Sequence, residues 1–152
     1  MLVRELMSPG AVSVAPGSSA ALAARLLSRH NVGALPVCTP EGVLRGMVTD
    51  RDIVLRCVAA EEDPAQTPVR EIMSRSCAAV SPDTDCSDAA RLMAARQVRR
   101  LPVVEGGKLV GMLSLADLAR CHRLDLEAAQ ALCDISENVV RRTAPKQKPP
   151  SD

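Results

Sequence analysis

The chain of 152 residues contains no phenylalanine, tyrosine or tryptophan. No base or sugar can stack on a ring, which weighs against the usual single-strand nucleic-acid platforms. Any purine pocket has to be built from aliphatic side chains and backbone. Charge of one sign is also missing: 19 Lys and Arg stand against 18 Asp and Glu, a net +1, so a global attraction to nucleic acid or membrane has no support. No apolar run is long enough to span a bilayer, and Arg4 and Glu5 interrupt the N-terminus where a signal peptide needs an apolar stretch. A cytoplasmic location is the expectation. The six cysteines (Cys38, Cys57, Cys77, Cys86, Cys121, Cys133) form no C-x-x-C pair, and with only His30 and His122 beside them no zinc spacing arises. No metal site is expected. The cysteines read as small buried hydrophobes in a reducing compartment, with a thiol-redox role for one pair as the alternative.

The usual enzyme signatures are equally scarce. No G-x-x-x-x-G-K phosphate loop occurs. Neither histidine has a fixed carboxylate or nucleophile partner in sequence. Asp50, Arg51 and Asp52 are adjacent on an expected helix and so point apart. A catalytic role is not expected, and no cofactor is required.

What the chain does contain is the same message twice. Val3-Arg4-Glu5-Leu6-Met7-Ser8 returns as Val69-Arg70-Glu71-Ile72-Met73-Ser74, and at this same offset Leu35-Pro36-Val37 returns as Leu101-Pro102-Val103. One residue is then lost, and Gly46-Met47-Val48-Thr49 meets Gly111-Met112-Leu113-Ser114, with Asp52 matching Asp117. Such repetition implies two copies of one supersecondary unit that pack together, so that sites between them also come in pairs.

Each copy reads as a helical lead-in, a short strand (Val12 to Val14; Ala78 to Val80), a helix, two strands joined by a turn, and a final helix. Gly17-Ser18-Ser19 and Asp83-Thr84-Asp85 give N-cap chemistry to the first long helix of each copy. Leu22, Leu26 and Leu27, and then Ala89, Leu92 and Met93, recur at helical spacing as its buried face. Thr39-Pro40-Glu41-Gly42 and Glu105-Gly106-Gly107-Lys108 are hairpin turns. The fold class is α+β, with tandem β-α-β-β-α repeats over 1–58 and 69–122 related by a pseudo-twofold axis. Residues 59–68 form a polar, proline-containing linker. A further helix over 123–140 carries Leu124, Ala128, Leu132, Ile135 and Val139 on one stripe, and 141–152 is a proline-rich basic tail expected to be disordered.

The most specific chemistry lies in the box G-h-h-[ST]-x-x-D. Thr49 and Ser114 sit where a strand becomes a helix, where unpaired N–H groups and the positive dipole end favour a phosphate. One turn on, Asp52 or Asp117 lies on the same side and would accept from both hydroxyls of a ribose. A plainer reading stands beside this one: the hydroxyl only caps the helix, the Asp only complements its dipole, and removing the Asp costs the fold little.

Taken together, the V-R-E-h-M-S lead-ins, the L-P-V strands and the G-h-h-[ST]-x-x-D boxes, twice and in order, resemble a tandem pair of cystathionine-beta-synthase (CBS) domains, or Bateman module. Thr49-Asp50-Arg51-Asp52-Ile53-Val54 with Gly33-Ala34-Leu35-Pro36-Val37 resembles small stand-alone bacterial CBS proteins, the actinobacterial hypoxic-response type among them. The resemblance implies that each site is shared between repeats. Carried over, site one holds Thr49 and Asp52 with Val80, Val98, Arg99 and Arg100, and site two holds Ser114 and Asp117 with Ser13, Val14, Gly33 and Ala34. Arg99 and Arg100 stand where related modules carry basic phosphate-binding side chains; a solvated edge-strand charge pair is the alternative. The first copy has Gly33-Ala34 instead, so site two is expected to bind phosphate more weakly unless Arg100 reaches it. The function implied is a regulatory sensor of an adenine nucleotide (AMP, ADP or ATP) or related ligand, assembled as a homodimer, with an unknown protein partner allowed and neither nucleic acid nor membrane engaged. A ligand-free interaction or stress-response protein is the alternative.

Overall fold

The computed structural model describes residues 1–143, with side chains to residue 137. The first repeat contributes α1 (Val3–Leu6), β1 (Ser8–Pro9), α2 (Ala20–His30), β2 (Ala34–Cys38), β3 (Leu44–Thr49) and α3 (Asp50–Ile53), which runs on as a π-helical turn, Val54–Val58. The second contributes α4 (Val69–Ile72), α5 (Cys86–Arg96), β4 (Arg100–Glu105), β5 (Lys108–Ser114) and α6 (Leu115–Ala119). A 3-10 turn, His122–Leu124, leads into α7 (Asp125–Thr143). The expected tail therefore begins as helix, and its remainder, 144–152, lies outside the described residues, as does the side chain of Val139.

Local chemistry explains where the elements begin and end. Ser19 caps α2, its hydroxyl accepting from the Leu22 N–H at 3.1 Å, and Asp85 caps α5, its carboxylate accepting from the Ser87 N–H at 2.8 Å. Asn31 and Gln97 close the two helices in the left-handed conformation. The Gly106-Gly107 hairpin turn has both φ angles positive, the geometry that glycine adopts without a Cβ penalty. β2 pairs antiparallel with β3, and β4 with β5, each pair with one irregularity at the equivalent place, Val37/Cys38 and Val103/Val104.

The short strands expected before each long helix shrink to single parallel bridges, Val14 to Val37 and Val80 to Val103. The chain turns one residue later: the Ala15 carbonyl accepts from the Ser18 N–H and the Ser81 carbonyl from the Thr84 N–H, both at 3.1 Å. Pro16 and Pro82, with no N–H to give a ladder, lie inside these turns. The buried helix faces also differ from the expectation. Ala20, Ala23 and Leu27 line the core side of α2, and Cys86, Ala89, Ala90 and Met93 that of α5, while Leu22, Leu26 and Leu92 are only partly buried. Small residues, Ala20 and Ala23 in one helix and Cys86, Ala89 and Ala90 in the other, make up most of each buried face.

The lead-ins are exchanged. Val3 is fully buried among Val80, Cys86, Ala89, Met93, Leu101 and Leu113, in the core of the second repeat. Val69, Ile72 and Met73 belong to the core of the first, with Val14, Ala23, Leu35 and Val48. The backbone follows the same rule. Val3 and Arg4 donate to the Thr84 and Pro82 carbonyls, at 2.9 and 3.0 Å, as Val69 and Arg70 donate to those of Ser18 and Pro16, at 2.8 and 2.9 Å. Arg4 also pairs with Asp83. β1 lies against β5 (Ser8 opposite Met112), and Ser74 bridges Met47 on β3. This crossing explains the glycine of each box. A Cβ on Gly46 would lie 2.4 Å from the Ser74 carbonyl oxygen, and one on Gly111 would lie 2.7 Å from that of Ser8.

The linker is likewise pinned. The Pro64 and Thr67 carbonyls accept from the Ala21 and Ala20 N–H groups at the start of α2, and the buried Thr67 hydroxyl donates to the Asp63 carbonyl at 2.8 Å. α7 packs on α5 and α6 through Ala128, Ala131 and Ile135, so most of its apolar stripe is spent on the second repeat; Leu132, expected in the stripe, is exposed.

Candidate functional site: two clefts between the repeats

The exchange brings the end of β3 beside the second repeat and the end of β5 beside the first, opening a cleft at each junction. Cleft one, of about 230 Å³, is lined by Met47, Thr49 and Asp52 of the first repeat and by Ser74, Ser76, Cys77, Ala78, Arg96, Val98 and Arg100 of the second. Cleft two, of about 380 Å³, is lined by Met112, Ser114, Ala116, Asp117, Arg120 and Arg100 of the second repeat and by residues of the first that include Ser8, Ala11, Val12, His30 and Ala34. A larger groove, of about 890 Å³, runs between α5 and α7 and contains none of the expected residues.

Of the residues expected in site one, Thr49, Asp52, Val98 and Arg100 meet in cleft one. Val80 does not: it is buried in the core of the second repeat. Arg99 also falls outside and is exposed, its carbonyl accepting from the Leu115 N–H at 2.8 Å. Arg99 stands in the bend before β4 and Arg100 at its first position, and only Arg100 lines the cleft. Of site two, Ser114, Asp117 and Ala34 meet in cleft two. Val14 is buried in the core of the first repeat, Ser13 is exposed, and the Gly33 carbonyl accepts from the Asp50 N–H at 3.1 Å. Sequence reasoning missed Arg96, Arg120 and His30. Arg120 lies three residues past Asp117, one helical turn on, and that spacing was the available signal. Arg100 lines cleft two as well, as the sequence reading allowed, and Arg120 and His30 stand beside it, so cleft two is not short of basic groups.

Both boxes are closed on themselves. The Thr49 hydroxyl accepts from the Asp52 N–H at 3.0 Å while the Asp52 carboxylate accepts from the Thr49 N–H at 2.9 Å. Ser114 and Asp117 repeat this at 3.1 and 2.8 Å. These are reciprocal capping boxes. At the start of α3 the Asp50 N–H is bound by Gly33 and the Arg51 N–H by the Asp50 carboxylate. The unpaired donors expected there for a phosphate are thus already satisfied, and anion binding in cleft one falls to side chains. The second oxygen of Asp117 takes the Arg120 guanidinium at 3.2 Å.

The thiols of Cys38, Cys77 and Cys86 are all pushed up by burial, which for Cys38 a hydrogen bond with Ser13 partly offsets. Such thiols carry little thiolate near neutrality and make poor redox nucleophiles. His30 and His122 are both exposed. Among the described residues no group of three or more His, Cys, Asp or Glu gathers as a metal site would require, and no helix is long and apolar enough to cross a membrane.

The CBS domain profile matches residues 3–58 and again 69–123. The chain is a member of the CBS-domain family. The CBS-domain protein YhcV of Bacillus subtilis is 44% identical over 138 residues, which cover 91% of this chain and 97% of YhcV. Hypoxic response protein 1 of Mycobacterium tuberculosis is 36% identical over 117 residues, 77% of this chain and 82% of that protein. A crystal structure of Hypoxic Response Protein I with two coordinated zinc ions matches with a TM-score of 0.74 and 34% identity, over 79% of this chain and 98% of that one. CBSX2 in complex with AMP matches with a TM-score of 0.70 and 31% identity, over 83% and 98%. The tandem α+β CBS architecture and the kinship with the hypoxic-response type are thereby established.

Proposed function

We propose that this CBS pair is a regulatory sensor that binds an adenine nucleotide or a related ligand in the two clefts between its repeats, and that it acts as a homodimer. The observation that carries this reading is the composition of the clefts. Each joins the [ST]-x-x-D box of one repeat to residues preceding the L-P-V strand of the other, with Arg100 at hand for an anion. In cleft one Met47 and Val98 offer the aliphatic surface that a purine needs in a chain without aromatics. Asp52 in one cleft and Asp117 in the other are the ribose acceptors of this reading. The AMP complex of CBSX2 supports the ligand class. Val54, Leu55 and Val58 of the π-helical turn are 53%, 51% and 59% exposed, an apolar face that a second copy would cover.

The closed capping boxes favour a second reading, in which the fold is kept for protein interaction and the ligand has been lost. Thermal unfolding with AMP, ADP, ATP, NAD and S-adenosylmethionine separates the two. A ligand at a hundred times its dissociation constant adds about 2.7 kcal/mol of stability. A melting temperature unmoved by all five would favour the interaction protein.

A further inference from the structure

Among the described residues every lysine and arginine is exposed except Arg100. Arg100 is partly buried, its side chain makes no hydrogen bond or ion pair among the described residues, and it lines both clefts. It sits at the first position of β4, opposite Ser114, the residue that opens the box of cleft two, while Val98 just before it lines cleft one. A cation partly withdrawn from water without a partner is costly until an anion arrives.

The charge around each cleft makes the position of Arg100 decisive. Cleft one sets Arg96 and Arg100 against Asp52, and cleft two, whose lining also holds the exposed His30, sets Arg100 and Arg120 against Asp117. Whichever cleft holds Arg100, the other is left with one arginine against one aspartate. A phosphate monoester carries roughly −1.5 to −2 near neutral pH, more than one guanidinium can neutralise, let alone twice. We propose that Arg100 is a single anion-binding group shared by the two clefts, so that a phosphorylated ligand in one weakens the binding of a second in the other. The inference rests on the nucleotide reading above and adds to it a negative coupling specific to phosphate. Linkage makes the coupling equal in both directions. A ligand without a phosphate places no demand on Arg100 and leaves the clefts independent.

Calorimetry on the full chain tests this, with AMP and adenosine as probes. Each cleft is plugged in turn, cleft one by Ala78→Trp and cleft two by Ala116→Trp, to obtain the affinity of the other alone. In the unplugged protein the product of the two AMP association constants should fall about ten- to a hundred-fold below the product from the plugged variants, as expected for one charge-assisted hydrogen bond withheld. The deficit should vanish for adenosine, and for AMP in Arg100→Gln, which still binds but more weakly at each cleft. A second measurement does not depend on the plugs. The Arg100 Nε–H resonance, assigned through Arg100→Gln, should shift with the first equivalent of AMP and not with the second. Equal products, a deficit that survives Arg100→Gln, AMP bound by only one plugged variant, or a resonance indifferent to AMP would each overturn the sharing. Failure of wild type to bind either probe would instead overturn the nucleotide reading beneath it, whereas independent binding at both clefts removes the sharing alone.

Discussion

Asp52 and Asp117 each have two tasks that the sequence shows as one. Their carboxylates hold the N–H of the residue that caps their own helix. Asp52→Ala and Asp117→Ala should therefore each cost about 0.5–2 kcal/mol of stability, the usual cost of a lost cap, and not the negligible amount that a bare dipole interaction suggests. Each should also weaken nucleotide binding at its own cleft about ten- to a hundred-fold. Urea titration and calorimetry on the same preparations check both, and unaltered affinity in both variants would remove the ribose role. At this scale the sequence was legible wherever chemistry alone decides: a hydroxyl and a carboxylate three apart at a strand-to-helix junction can do little else than cap or bind. It was not legible where side-chain direction decides. The family resemblance implies Val14 and Val80 as site residues, yet their bridges to Val37 and Val103 turn them into the cores. Between Arg99 and Arg100 nothing in sequence chooses; the bend that leads into β4 does.

The elements themselves were legible from repetition and capping, but their partners were not. Val3 and Val69 read as the start of their own repeats, and no local signal says that each is buried in the other. Gly46 and Gly111 carry the only trace, since a glycine inside a strand pattern marks close backbone approach. Gly46→Ala and Gly111→Ala should each cost about 1–3 kcal/mol, as overpacking does, with Gly46 the more costly because its Cβ would come nearer the crossing carbonyl. The shift in urea midpoint measures this, and two variants as stable as wild type would mean that the crossing strands yield freely. α7 makes the same point in reverse. Its periodicity is plain in the sequence, but nothing local says that its apolar stripe packs on α5 and α6.

At the scale of the whole molecule the two repeats do not make two independent folding units. Fragments 1–58 and 69–143, produced apart, each lack the lead-in that fills their core. Each alone should show no cooperative unfolding, and mixing them should restore helical circular dichroism. A fragment that melts cooperatively on its own would show the exchanged contacts to be dispensable. For the assembled protein, light scattering at micromolar concentration should give a dimer, and Leu55→Glu with Val58→Glu should give a monomer that keeps its fold; a monomeric wild type would exclude the dimer. The exchanged lead-ins also bear on how the chain is made. Val3 ends beside Thr84 and Cys86, so a segment made before the first repeat finds its place only after much of the second has been made. The first repeat cannot complete its core until Met73 has been synthesised, and α1 must wait, exposed, for the second repeat to form. Leu2 and Val3 thus stay without their partners until the second repeat has been made, which places the demand for protection on the interval of translation between the two repeats.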